Sequence, residues 1–247
     1  MWLRNALAAA AVSAAVLAAP QTGSASTITM TSYSFAAGSQ VISNVSVTSS
    51  VPGNSISWGS LNAGLFQLNT TAGTLYGFCV DLFHTIQNNT VYQTAPLTFA
   101  GDNSPPGSSG SAPDIFPLTT TQAKQINWLT LQAVSELAAS TLTAARSAAY
   151  QLKVWEVAYG SAFSYGSAPA AVLTALTGIS AALSAADLSS IAIPTALISV
   201  QTGPNGETIL GERQMLVIGV PEPASLALLG AGLLGLGAMA RRRHSVH

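Results

Sequence analysis

The chain has 247 residues and a formal net charge of −1, with 7% charged residues against the roughly 25% usual in soluble domains. Four of its eight basic residues (Arg4, Arg241, Arg242 and Arg243) lie near the ends. The stretch from about Ser26 to Glu222 therefore sets Lys124, Arg146, Lys153 and Arg213 against all nine acidic residues. Such a weakly acidic body lacks the basic stripe that nucleic acid requires, and its Ser, Thr, Asn, Gln and Gly suit an uncharged extracellular milieu such as polysaccharide.

Residues 1–25 read as a secretory signal peptide. Arg4 supplies a minimal positive start, Ala6 to Ala19 is an apolar stretch too short to span comfortably, and Gly23-Ser24-Ala25 offers small residues for signal peptidase. The mature chain is expected to begin near Ser26. Residues 26–100 form a β-rich region, in which β-branched and aromatic runs such as Val41 to Val47 and Leu65 to Leu68 alternate with polar residues. A Gly/Ser/Pro loop occupies 101–118. Residues 119–187 form a helical region, with helices predicted over Thr120–Ala139, Thr143–Tyr159 with Gly160 as its stop, and Ala168–Ala186. Residues 188–219 return to strands, predicted over Ile191–Gln201 and Thr208–Val220. The expected class is α+β: an antiparallel, β-rich extracellular domain with a helical insert, plus the signal peptide and a C-terminal transmembrane helix.

That helix belongs to residues 220–247. Pro221-Glu222-Pro223 cannot join a following helix, because proline fixes φ, lacks an N–H and pushes the preceding residue out of the helical region. Ala224 to Ala240 carries no charge and spans roughly 25 Å as a helix, a short membrane crossing. Arg241, Arg242 and Arg243 then act as the membrane stop on the cytoplasmic side. Order, spacing and position resemble the PEP-CTERM sorting signal of Gram-negative bacteria. The resemblance implies export across the inner membrane, transient anchoring, and cleavage near the motif by the membrane enzyme exosortase. It further implies delivery to the cell surface or an exopolysaccharide matrix.

Cys79 is the sole cysteine of an exported chain, so it has no internal disulfide partner. It lies in Phe78-Cys79-Val80-Asp81, which reads as a strand. On the helix that follows later, Leu152, Trp155 and Tyr159 share a core-facing stripe with Ala148, and Gln151 lies beside Trp155 at i, i+4. This pairing resembles the internal thioester domains of bacterial surface adhesins. Those domains combine an aromatic-Cys-aliphatic-Asp strand motif with a Thr-Gln-x-Ala-aliphatic-Trp helix motif. The resemblance implies that Cys79 supplies the thiol, Gln151 the captured acyl group, and Phe78, Asp81 and Trp155 the surroundings. Tyr150 stands where that family has Thr, and Lys153 where it has Ala.

Asp81 and His84 also invite a cysteine-hydrolase or zinc reading. Five positions separate Cys79 from His84, so on one strand the two point to opposite faces. No catalytic set, metal or cofactor is therefore expected. Three functional classes remain: a structural or adhesive surface protein meeting exopolysaccharide or surface amines, a covalent adhesin with a Cys79–Gln151 thioester, and a secreted hydrolase.

Overall fold

The computed structural model describes residues 27–48, 55–98, 118–202, 208–210 and 215–219. The expected signal peptide, the Gly/Ser/Pro loop, the sorting tripeptide, the tail helix and its arginines lie outside them. Among the described residues no helix is long and apolar enough to cross a membrane.

Among the described residues, ten strands and three α-helices follow one another in an α+β arrangement. The strands β1 (Thr27–Phe35), β2 (Gln40–Val47), β3 (Ile56–Ala63), β4 (Phe66–Thr70), β5 (Gly73–Cys79) and β6 (Thr90–Pro96) come first. Helices α1 (Thr120–Ala138) and α2 (Ala144–Tyr159) follow, then the short strand β7 (Phe163–Ser164) and helix α3 (Ala170–Ala185). Strands β8 (Thr195–Thr202), β9 (Thr208–Leu210) and β10 (Leu216–Gly219) complete the order.

All strand pairings between these elements are antiparallel. The larger sheet runs β10-β5-β4-β1-β6-β8-β9, and β10 also pairs with β8 through Leu216↔Leu197 and Val217↔Ala196. That second pairing closes six strands into a ring, leaving β9 attached to β8. Closure removes most of the unpaired edge that an open sheet leaves to solvent or to other chains. It demands a close approach: a Cβ on Gly77 would sit 2.2 Å from the Val217 carbonyl oxygen, so only glycine fits there. Every residue of β10 is buried, and Thr130 and Val134 of α1 reach within 3.0 Å of where a Gly219 side chain would start. The ring and the helix thus cover β10 from both sides.

A smaller sheet, β3-β2-β7, packs beside α2. The alternation expected along Val41 to Val47 breaks at Asn44, whose φ of 51° interrupts the ladder between Ser43↔Ser60 and Val45↔Trp58 without shifting its register. The left-handed residue shifts the buried phase from Ile42 to Val45 and Val47.

Helices α1 and α2 start where side chains cap them. Thr119 and Gln122 form a capping box on α1, and the Thr143 hydroxyl accepts from the Arg146 N–H at the head of α2. Gly160, at φ 57°, ends α2 as expected. The predicted strand Ile191–Gln201 begins only at Thr195, after Pro194 has removed a donor from the ladder. The single strand expected over Thr208–Val220 is instead two, β9 and β10.

Candidate functional site

The centre of interest is the end of β5, where the strand stops at Cys79 and the chain turns. On one side Cys79 is opposite Leu216 of β10. On the other, its neighbour β4 begins only at Phe66, which pairs with Gly77, so Cys79 overhangs the ladder. Helix α2 fills the gap with side chains. Ser147 accepts from the Leu65 N–H at 2.7 Å. One turn later Gln151 grips Cys79 twice: its Oε1 accepts from the Cys79 N–H at 3.1 Å, and its Nε2 donates to the Cys79 carbonyl at 2.7 Å. The Gln151 amide therefore replaces the missing strand residue. Both residues are almost wholly buried, so neither backbone group has water to fall back on.

The structure thus brings together the two residues that sequence pairs across 72 positions. It also sets the face of α2 as read from spacing. Ala148, Leu152, Trp155 and Tyr159 are buried, and Lys153 turns away to pair with Glu156 at 3.0 Å. Tyr150 is likewise buried, and its hydroxyl donates to Glu136 of α1 at 2.7 Å. The Arg146 guanidinium grips the same carboxylate. Burial alone would raise the Glu136 pKa, yet the hydrogen bonds from Arg146 and Tyr150 outweigh it and leave the group below its usual range.

After Cys79 the chain does not continue as a strand. Val80 donates to Met215 O at 3.1 Å, the Leu82 N–H donates to the Tyr159 hydroxyl at 2.9 Å, and the Trp58 indole donates to Leu82 O at 3.0 Å. Asp81 Oδ1 accepts from the Phe83 N–H at 2.7 Å, folding the turn back. That turn overturns the opposite-face expectation for Cys79 and His84: alternation holds only while the chain stays extended, and β5 ends at Cys79. His84 Nδ1 instead meets Asp81 Oδ2 at 2.5 Å, and both residues are buried. Burial pushes the Asp81 carboxyl up, while hydrogen bonds and charge from His84 pull the other way. The Cys79 Sγ donates to Asp81 O at 2.9 Å.

A cavity of about 240 Å³ opens over this turn, with Cys79 and His84 both in its wall. Tyr33, Phe35, Trp58, Phe66 and Trp155 supply half of the rest, and among the described residues no Lys, Arg, Asp or Glu lines it. Phe78, expected to shield Cys79, faces elsewhere and lies against Tyr150 with ring centroids 6.4 Å apart. The aromatic cover comes from residues distant in sequence, and Phe66, Trp58 and Tyr33 carry no local signal that would have found them. Among the described residues no cluster of metal-ligating side chains occurs.

The geometry has a chemical consequence. The Cys79 N–H already points at the Gln151 carbonyl oxygen, at a distance suited to stabilising negative charge there. An attack on the Gln151 carbonyl carbon would develop its charge on the oxygen this donor holds.

A family profile for the PEP-CTERM protein-sorting motif matches residues 219–243. The tail is a PEP-CTERM sorting signal. It marks the chain as a protein exported and sorted to the envelope or surface of a Gram-negative bacterium, with exosortase as its processing partner. No curated protein and no solved structure matches the chain.

Proposed function

We propose that the body is a structural or adhesive component of the cell surface or exopolysaccharide matrix, released from the membrane by cleavage near Pro221-Glu222-Pro223. The observation that carries this reading is the sorting-motif match over residues 219–243. Support comes from a body poor in charge and rich in small polar residues. The test is the C-terminal sequence of material recovered from the cell surface. Cleaved protein lacks Arg241, Arg242 and Arg243. Protein that keeps them after reaching the surface contradicts the proposal, as does a reporter carrying this tail that is not redirected.

A second reading is favoured by the two hydrogen bonds between Gln151 and Cys79. In it the Cys79 thiol attacks the Gln151 side-chain carbonyl, the C–N bond breaks, ammonia leaves and a thioester remains. The Cys79 N–H stays on the acyl oxygen throughout, and the aromatic wall slows hydrolysis. The product transfers its acyl group once to a surface amine, which makes the protein a covalent adhesin. Intact mass decides: the thioester form is lighter by one ammonia, takes up methylamine at Gln151, and loses both properties in Cys79→Ala. A protein of full mass with a freely alkylated thiol removes this reading.

A further inference from the structure

The Asp81–His84 pair lies buried just past the end of β5, and its His84 stands in the wall of the cavity that Cys79 lines. A histidine tied to a carboxylate through Nδ1 is fixed in orientation, and its proton chemistry runs through Nε2. Three further facts make this more than a structural contact. The cavity is bounded by aromatic faces and has no cationic lining, which suits an organic ammonium group. The Trp155 indole lines the same cavity, is 2% exposed, and its Nε1–H has no partner among the described residues. A buried donor left in that state costs about 1–3 kcal/mol, a cost that an acceptor on a bound molecule removes. The other titratable groups around His84 are Tyr33 from β1, Cys79 from β5 and Tyr159 from α2. Burial, and then the charge of Asp81, keep the Tyr159 phenol protonated, so it does not compete as a base.

We propose that Asp81 and His84 are the proton-transfer pair of this cavity, with His84 the base for the nucleophile arriving beside Cys79 and Asp81 the residue that positions it. This role rests on the thioester reading for its full reaction. A primary amine enters as its ammonium ion, and His84 Nε2 takes one proton. The freed lone pair attacks the Gln151 acyl carbon, with the developing oxyanion held by the Cys79 N–H. The C–S bond then breaks, and Cys79 leaves as thiolate and takes the second proton from nitrogen as the amide forms. His84 returns its proton to solvent. The net change is thioester plus ammonium to amide, thiol and one proton.

The experiment uses the processed protein recovered from its host, with intact mass measured first. Where the mass shows the thioester, methylamine uptake is followed against pH in the wild type, His84→Gln and Asp81→Asn. The wild-type rate rises through an inflection. His84→Gln lacks the inflection and is slower by about 10²–10⁴, the usual span for a general base. Asp81→Asn moves the inflection, which a purely structural role for Asp81 would leave in place. Where the mass shows no thioester, that reading fails by itself, and iodoacetamide alkylation of Cys79 is followed against pH in the same proteins. A profile altered in His84→Gln then sustains the pair. In either branch, a folded His84→Gln protein with the wild-type profile overturns the proposal. Should His84→Gln not fold, the nearly isosteric Asp81→Asn decides, and an unmoved inflection has the same meaning.

Discussion

Helices α2 and α3 have the same length, 16 residues, are both rich in alanine, and pack on each other, yet they do different work. α3 buries only Val172, Leu176, Ile179 and Leu183, a plain apolar stripe. Two of its polar side chains turn back on the helix itself: Thr177 donates to Leu173 O and Ser184 to Ser180 O. α2 buries ten residues, and two of them, Ser147 and Gln151, are polar groups spent on the backbone of β5 and its approach to β4. Burying a polar group is costly unless its hydrogen bonds are met, so a helix whose Ser147 and Gln151 both find backbone partners is fixed in position as well as packed. That precision is what a site needs and what α3 does not supply.

The contrast is broken most severely at Gln151. Replacing it with alanine orphans the N–H and the carbonyl of Cys79, each worth about 1–3 kcal/mol when buried and unpaired. A loss of about 2–6 kcal/mol is expected in urea unfolding, together with faster alkylation of any free Cys79. Ile179→Ala on α3 removes apolar volume alone and is expected to cost about 2 kcal/mol, the low end for such a cavity. It should leave the behaviour of Cys79 untouched. If the two variants affected Cys79 alike, the distinction between the helices would be lost.

These effects also mark what sequence made legible. The α+β class, the helix starts near Thr120 and Thr143, the Gly160 stop and the stripe through Leu152, Trp155 and Tyr159 follow from local pattern and periodicity. Cys79 and Gln151 could be paired because each sits in a short pattern, though nothing in spacing alone shows that an amide substitutes for a strand. Ring closure through β10 was invisible, since it depends on non-local pairing of four residues with two different strands. The Asp81–His84 contact was hidden for a simpler reason. Alternation holds only along a strand, β5 stops at Cys79, and the Asp81 side chain's own bond to the Phe83 N–H makes the turn. Cavity walls built from β1, β3, β4 and α2 have no signature in any one segment.

Tyr159→Phe sharpens the comparison within α2. It deletes the hydroxyl that accepts from the Leu82 N–H inside the turn, while the ring keeps its edge contact with Phe83. About 1–2 kcal/mol of stability should be lost. Amide exchange at Leu82 should quicken, and packing of α3 on α2 should not change. Thr143→Ala comes next, at about 1 kcal/mol for a lost helix cap. α3 offers no counterpart, because Pro169 at its head makes no side-chain cap bond. Thermal midpoints of the two variants, read against wild type, rank these effects.

The smallest effect concerns how α2 is held to α1. Glu136 receives Arg146 and Tyr150, and this net pull keeps its carboxyl below the usual range despite the opposing cost of burial. A group whose pKa is lower in the folded than in the unfolded state stabilises the fold above its unfolded pKa, and that contribution disappears as pH falls through the folded value. Wild type should therefore exceed Glu136→Gln in stability at neutral pH and approach it in acid. Arg146 is 41% exposed on its side chain, so solvent and salt screen the pair, and the gap should not exceed about 1 kcal/mol. A gap that stays constant from neutral to acidic pH would mean that the carboxylate's charge contributes nothing, leaving packing of Tyr150 between the helices as the whole of the link.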